Sequence, residues 1–163
     1  MRPVNVHGTA IVIGTTGFLF VGPSGSGKSS AAFDCLAAAR ASHLFAALVS
    51  DDQVMITRCG GHIVGRPPAP IAGLIEVRGA GVVETDSIEA AILRFAVMPV
   101  APPFDIRIAP EHEMWTDEGG RFNLPLVRLP CGTADPFGRL CRLLPQIPTN
   151  PAGKVHTPAI FRF

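Results

Sequence analysis

Lysine is nearly absent. Among 163 residues only Lys28 and Lys154 occur, so arginine carries most of the positive charge. Charged residues make up 17% of the chain and its formal net charge is +1, which leaves no electrostatic basis for binding nucleic acid or an anionic membrane surface. Long apolar runs are missing too. A membrane-spanning helix needs roughly 18 residues, and the nearest candidate, Ala90 to Val100, is broken by Arg94 and Pro99. Cysteine is sparse: Cys35, Cys59, Cys131 and Cys141 form no C-x-x-C pair and no tight zinc spacing. Scattered thiols in a chain without a signal peptide predict a reduced, cytoplasmic protein whose cysteines serve as small buried hydrophobes.

What is present suits one domain with a real core, because 47% of the residues are apolar. The runs Thr9–Ile13 and Phe18–Val21 flank the turn signal Gly14 to Gly17 and predict a hairpin. From Lys28 to about Arg40 the chain holds strong helix formers and no breaker, which predicts a helix. "HLFAALVSDD" reads as a buried strand ending in two acids, and "QVMITRCGGHIVGRPP" as a hairpin turning at Gly60-Gly61. "IAGLIEVRGAGVVE" is too irregular for an element, while "AAILRFAVMPV" reads as another buried strand. A short late helix follows, capped by Asp135 with Pro136 at its first position. Residues 145–163, punctuated by Pro145, Pro148, Pro151 and Pro158, are expected to be loop or partly disordered. Strands alternating with helices point to an α/β or mixed core, without repeats or a second-domain boundary.

Gly22 to Ser29, "GPSGSGKS", fits G-x-x-x-x-G-K-[ST] and stands between an apolar run and a helix. That context marks a phosphate-binding loop. Its glycines let backbone N–H groups wrap an anion, and the following helix presents its positive end. Gly22, Ser24, Gly25, Ser26, Gly27, Lys28, Ser29 and Ser30 are therefore the candidate nucleotide-binding residues, with Lys28 on the β/γ-phosphates and Ser29 on Mg²⁺. Pro23 removes one backbone donor, but early in the loop.

Other polar residues read two ways. Asp51 and Asp52 stand at the end of a strand, where open α/β sheets place their sites; they divide labour between metal and an incoming hydroxyl, or simply begin a turn. His7 is a surface histidine or a site residue. Glu76 and Arg78, alternating with apolar neighbours, make an exposed strand-edge ion pair or belong to the site.

Taken together, "VHGT", "GPSGSGKSS", "LVSDD" and "IEVRGAGVVE" resemble, in order and spacing, the catalytic domain of the HPr kinase/phosphorylase family, from about Val4 to Leu144. "LIEVRGAGVV" is the most specific part. The resemblance implies a P-loop kinase-like core of mixed β-sheet with flanking helices, a fold akin to phosphoenolpyruvate carboxykinase. It assigns residues 1–144 to the catalytic domain and 145–163 to a tail. It also implies ATP and Mg²⁺ as cofactors, and transfer to a serine of the carrier protein HPr with reversal by inorganic phosphate. On the matching positions, Asp51 is the base toward the serine hydroxyl, and Asp52 is its partner acid. Ser29, Asp52 and Glu76 hold the metal; His7 lies near the reacting phosphate, and Arg78 and Lys28 face phosphoryl charge.

The departures are as telling. The family's long members carry an N-terminal domain, whereas this chain begins almost at His7, like short α-proteobacterial forms. The position of Pro23 is usually acidic in the family. The family's late segment rich in proline, arginine and glycine is matched only loosely by "LPLVRLPCG", which makes Arg128 its candidate for the reverse step. Family members form hexamers. Two other functions fit a phosphate loop: a small-molecule kinase, disfavoured because no arginine-dense lid segment follows, and an ATP-sensing interaction module without turnover.

Overall fold

The computed structural model describes residues 2–132, 134–145 and 147. In chain order, Val4–His7 is β1, Thr9–Ile13 is β2 and Thr16–Phe20 is β3. Lys28–Ala41 is α1, followed by β4 (Ala46–Ser50), β5 (Gln53–Cys59) and β6 (His62–Arg66). A 3₁₀ turn over Ala69–Ile71 leads into β7 (Leu74–Val77) and β8 (Gly81–Glu84). The chain continues through β9 (Ala91–Val100), β10 (Met114–Thr116) and β11 (Asn123–Pro130) to α2 (Pro136–Leu143). The tail expected over 145–163 falls, apart from Pro145 and Ile147, outside the described residues.

The main sheet is mixed and runs β1-β5-β6-β9-β3-β2-β4, with β11 added to β9 and β10 to β11. β9 is its axis: Val97 lies opposite Phe20 of β3 on one side and Val127 of β11 on the other, both pairings parallel. Strands β2 and β4 are buried along their whole length, which explains near-continuous apolar runs in place of alternation. The pleat sends Ile11, Ile13, Phe18, Phe20 and Leu48 to one face, against α1 and α2. Ala10, Leu19, Val21 and Val49 go to the other, against Phe122 and Leu124. Burying each large side chain contributes about 1.5–3 kcal/mol.

Helix α1 lies on the sheet through Ala31, Ala32, Cys35, Leu36 and Ala39, one stripe at helical spacing. It ends at Ser42, whose hydroxyl donates to the Ala38 carbonyl at 2.9 Å. Helix α2 starts as its sequence indicates: Asp135 accepts from the Gly138 N–H at 2.7 Å and Pro136 occupies the first turn.

Two expectations change. The glycine-rich segment after residue 70 does have regular structure, a separate hairpin of β7 and β8 closed by Ala80 N–H donating to the Val77 carbonyl at 2.9 Å. All of β8 is exposed, so it carries no apolar alternation to read. The cysteines are not uniformly buried: Cys35 is, Cys131 and Cys141 are half-buried, and Cys59 is exposed at the end of β5. No helix among the described residues is long and apolar enough to cross a membrane.

Strand β2 runs antiparallel to both β3 and β4. The C-terminal ends of β3 and β4 and the N-terminal end of β2 therefore meet at one rim of the sheet. That rim gathers the polar residues.

Candidate active site

The loop from Gly22 to Gly27 leaves β3 at this rim and enters α1 at Lys28. Gly27, the residue before the helix, has φ 87° and Gly25 has φ 81°, a left-handed backbone that a Cβ would strain. No side chain caps the α1 N-terminus and its first turn holds no acid, so the leading N–H groups are not claimed by the protein. Ser26 Oγ is a buried oxygen without a hydrogen-bond partner. A loop built this way fits a bound oxyanion, which would satisfy both the amides and that hydroxyl.

Lys28 is 6% exposed. Its Nζ donates to the carbonyls of Gly22 (3.0 Å) and Pro23 (2.9 Å) and lies 3.0 Å from His7 Nε2. Pro23, which has no N–H to give, contributes its carbonyl. Burial pulls the Lys28 pKa below the ordinary lysine value; the charges of Asp52 and Asp51 oppose that shift and Arg78 adds to it. With the ammonium as donor, His7 Nε2 accepts, and Nδ1 carries the proton that it gives to the Asp52 carbonyl at 3.0 Å. The same Nδ1 is 3.3 Å from Asp52 Oδ1.

The two adjacent acids differ sharply. Asp51, directly after β4, is 5% exposed. Its Oδ1 accepts from the hydroxyls of Thr9 (2.7 Å) and Ser29 (2.8 Å), and its Oδ2 from the Glu76 backbone N–H (3.0 Å). Asp52 turns outward at φ 64°, a conformation aspartate tolerates better than most residues, and its side chain is 68% exposed. Its carbonyl also accepts the Gly8 N–H at 3.1 Å. Glu76 and Arg78 are both exposed on the β7–β8 hairpin. Glu76 is linked to Asp51 through its main chain, and Arg78 is near enough for its charge to act on Lys28.

The structure thus brings His7, the Gly22–Ser30 loop, Asp51, Asp52, Glu76 and Arg78 to one rim. Ser24 sits in that loop and Ser30 in the first turn of α1, both exposed. Arg128 is occupied elsewhere, its guanidinium forming two hydrogen bonds of 2.6 and 2.7 Å with Glu113. Among the described residues no three His, Cys, Asp or Glu side chains cluster to hold a metal. Ser29, Asp52 and Glu76 are not gathered as a closed cage. All three would offer oxygen donors, the ligand type Mg²⁺ takes, and the ion would keep waters and need only one or two of them beside substrate phosphates. Thr9 was missed by sequence reasoning. It is fully buried at the start of β2, and its only signal was a hydroxyl in an otherwise apolar strand. Also missed was a cleft of about 790 Å³ that opens beside Gly22 and Asp52.

A family model described as HPr Serine kinase C-terminal domain matches residues 2–96. The HPr kinase/phosphorylase of Clostridium beijerinckii is 30% identical over 113 residues, 69% of this chain and 33% of that protein. That of Mycoplasmopsis pulmonis is 38% identical over 87 residues, 53% of this chain and 26% of that protein. This chain therefore spans about a third or less of the length of these relatives. Among solved structures, the Hpr(Ser) kinase/phosphatase from Coxiella burnetii superimposes with a TM-score of 0.66 at 21% identity, covering 86% of this chain and 91% of that one. The shared fold is the mixed sheet with few helices.

Proposed function

Since the chain belongs to the HPr serine kinase C-terminal domain family, we propose that it is an ATP- and Mg²⁺-dependent kinase acting on a serine of the carrier protein HPr. The observation that carries this reading is the Ser29–Asp51 hydrogen bond of 2.8 Å. It joins the hydroxyl of the phosphate loop to a buried carboxylate at the same rim. Bound ATP with Mg²⁺ would supply the transferable phosphoryl group and neutralise its charge.

The chain's own residues divide the remaining work. Backbone N–H groups from Gly25 to Ser29 and the Lys28 ammonium hold phosphate oxygens, for which Lys28 leaves the Gly22 and Pro23 carbonyls that now hold it. The Ser29 hydroxyl and the carboxylates of Asp52 and Glu76 serve the metal, with Asp52 and Glu76 free to turn because both are exposed. Asp51 takes the proton from the incoming serine hydroxyl as that oxygen attacks phosphorus, a role that contributes roughly 10²–10⁴-fold. Arg78 and Lys28 stabilise charge spread over the phosphoryl oxygens. The loop and acid pair support transfer to HPr more strongly than its reversal by inorganic phosphate, because Arg128 is already paired with Glu113.

The test is incubation of the protein with ATP, Mg²⁺ and HPr, followed by mass mapping of the product. One phosphoserine, formed over many turnovers at catalytic enzyme concentration, is expected. Nucleotide binding without any phosphorylated HPr would replace the kinase by a sensing module.

A further inference from the structure

Strand β1 ends the sheet. It pairs with β5 on one side and, among the described residues, with no strand on the other. The direction of its peptide groups follows from one bond. Gly8 N–H donates to the Asp52 carbonyl at 3.1 Å, and an antiparallel ladder alternates hydrogen-bonded with non-bonded pairs. The bonded pairs continue as Val6–Val54 and Val4–Ile56, leaving Asn5–Met55 and His7–Gln53 as non-bonded pairs. Consistently, Gln53 N–H turns away to the Asp51 carbonyl at 2.7 Å. The N–H and C=O groups of Asn5 and His7 therefore point to the open side.

That side faces an open cleft. The cleft of about 790 Å³ follows β1 from Pro3 to His7 and ends at Gly22 and Asp52. Val4 and Val6 line it as well as Asn5 and His7. Since these pairs project to opposite faces of the strand, the cleft tracks the strand's edge and not one of its faces. Its far wall is the turn from Trp115 to Arg121. Asp117 fixes that turn with a buried carboxylate that accepts from the backbone N–H groups of Gly119, Arg121 and Phe122 at 3.2, 2.6 and 2.6 Å.

We infer that this edge receives the acceptor protein. An extended segment of the acceptor adds to β1 as one more strand, bonds to the free peptide groups of Asn5 and His7, and delivers its serine to the Gly22–Asp52 end of the cleft. The inference rests on the kinase reading above. One observation favours a polypeptide over a nucleoside: donors and acceptors recur at every second residue, the repeat of an extended chain. The edge also leads to the end of the cleft where Asp52 and the phosphate loop lie, which puts a segment held there within reach of the site.

Asn5→Pro tests it. The substitution removes an outward N–H and no β1–β5 bond, and proline is tolerated at such edge positions. Its KM for HPr is expected to rise about tenfold, the worth of one lost hydrogen bond, with ATP affinity and kcat within about twofold of the unmodified protein. Asn5→Ala keeps the N–H and loses only the side-chain bond to Gln53 Oε1 at 3.0 Å, so it should behave as the unmodified protein. Equal KM in both variants would overturn the docking. A second measurement needs no variant. In hydrogen exchange with a non-hydrolysable ATP analogue and HPr, the amides of Asn5 and His7 should gain protection while those of Val4 and Val6, already bonded, stay unchanged. Protection by the analogue alone, with quenching of Trp115, the single tryptophan, would give the cleft to the nucleoside and sink the inference. Failure of the kinase reading looks different: the unmodified protein would transfer nothing to HPr, and the acceptor dock would fall with it.

Discussion

Ser29 and Asp51 face each other across the gap between α1 and β4, joined by a 2.8 Å hydrogen bond from hydroxyl to carboxylate. The bond ties the phosphate loop to the acid that follows a different strand. Loop and acid then shift together or not at all. Thr9, donating to the same oxygen at 2.7 Å, pins the pair to β2.

Asp51→Asn should separate chemistry from binding. The amide cannot take a proton, and one of its ends would present N–H groups to the hydroxyls of Thr9 and Ser29 or to the Glu76 N–H. We expect phosphate transfer to fall by about 10²–10⁴-fold while ATP affinity, by calorimetry, changes by less than about threefold. Transfer at the unmodified rate would remove Asp51 from the base role.

Lys28→Ala should do the reverse and act on binding first. Losing a charge-assisted contact costs about 1.5–3 kcal/mol, so ATP affinity should drop about 10–100-fold. Calorimetry without HPr reads this directly. An unchanged Kd would mean that the ammonium stays on the Gly22 and Pro23 carbonyls when nucleotide binds.

Glu113 and Arg128 offer a stability test away from the rim. Arg128's hydrogen bonds, against a smaller opposing effect of burial, hold the Glu113 pKa below the ordinary glutamate value. The folded state therefore binds fewer protons than the unfolded one between the two values. The stabilisation is complete above the ordinary value and is lost as pH falls through the folded one. Glu113→Gln should lower Tm by about 2–6 °C at neutral pH. The two melting curves should draw together as pH falls below the ordinary glutamate value. A gap that stays constant from pH 7 to pH 3 would show that the ion pair contributes nothing.

The cysteines should react in order of exposure. Burial pushes the Cys141 thiol up to about 11 and raises Cys35 still further, with smaller contributions from neighbouring thiols and acids. Iodoacetamide at neutral pH should therefore label Cys59, exposed at the end of β5, well before Cys35, which waits for unfolding. Peptide mass mapping over time gives the order. Early labelling of Cys35 would mean that the α1–α2 contact opens in the native state.

Much of this was legible because it is local. The β2–β3 hairpin, the phosphate loop and the capped α2 each carry their cause within about ten residues of sequence. The Asp51-Asp52 pair could be seen to follow a buried strand, but its unequal burial could not, since Thr9, Ser29 and Glu76 arrive from three other elements. Strand β11 contains Pro125 and Pro130, which speak against a strand when read alone. It forms because the end of β9 offers it a partner, Leu126 lying opposite Ala96. Arg128 looked available for chemistry because its partner Glu113 stands 15 residues away in the chain.

The alanines beneath α1 carry a further consequence. Ala32 and Ala39 are fully buried between helix and sheet, so methyl groups act as shims that set the helix's height above β2 and β3. Lys28 and Ser29 ride on the end of that helix. The calibration of the phosphate loop therefore lies underneath it, in residues with no chemistry of their own. A single added methylene there would tilt the platform and misalign Ser29 from Asp51 without touching either one.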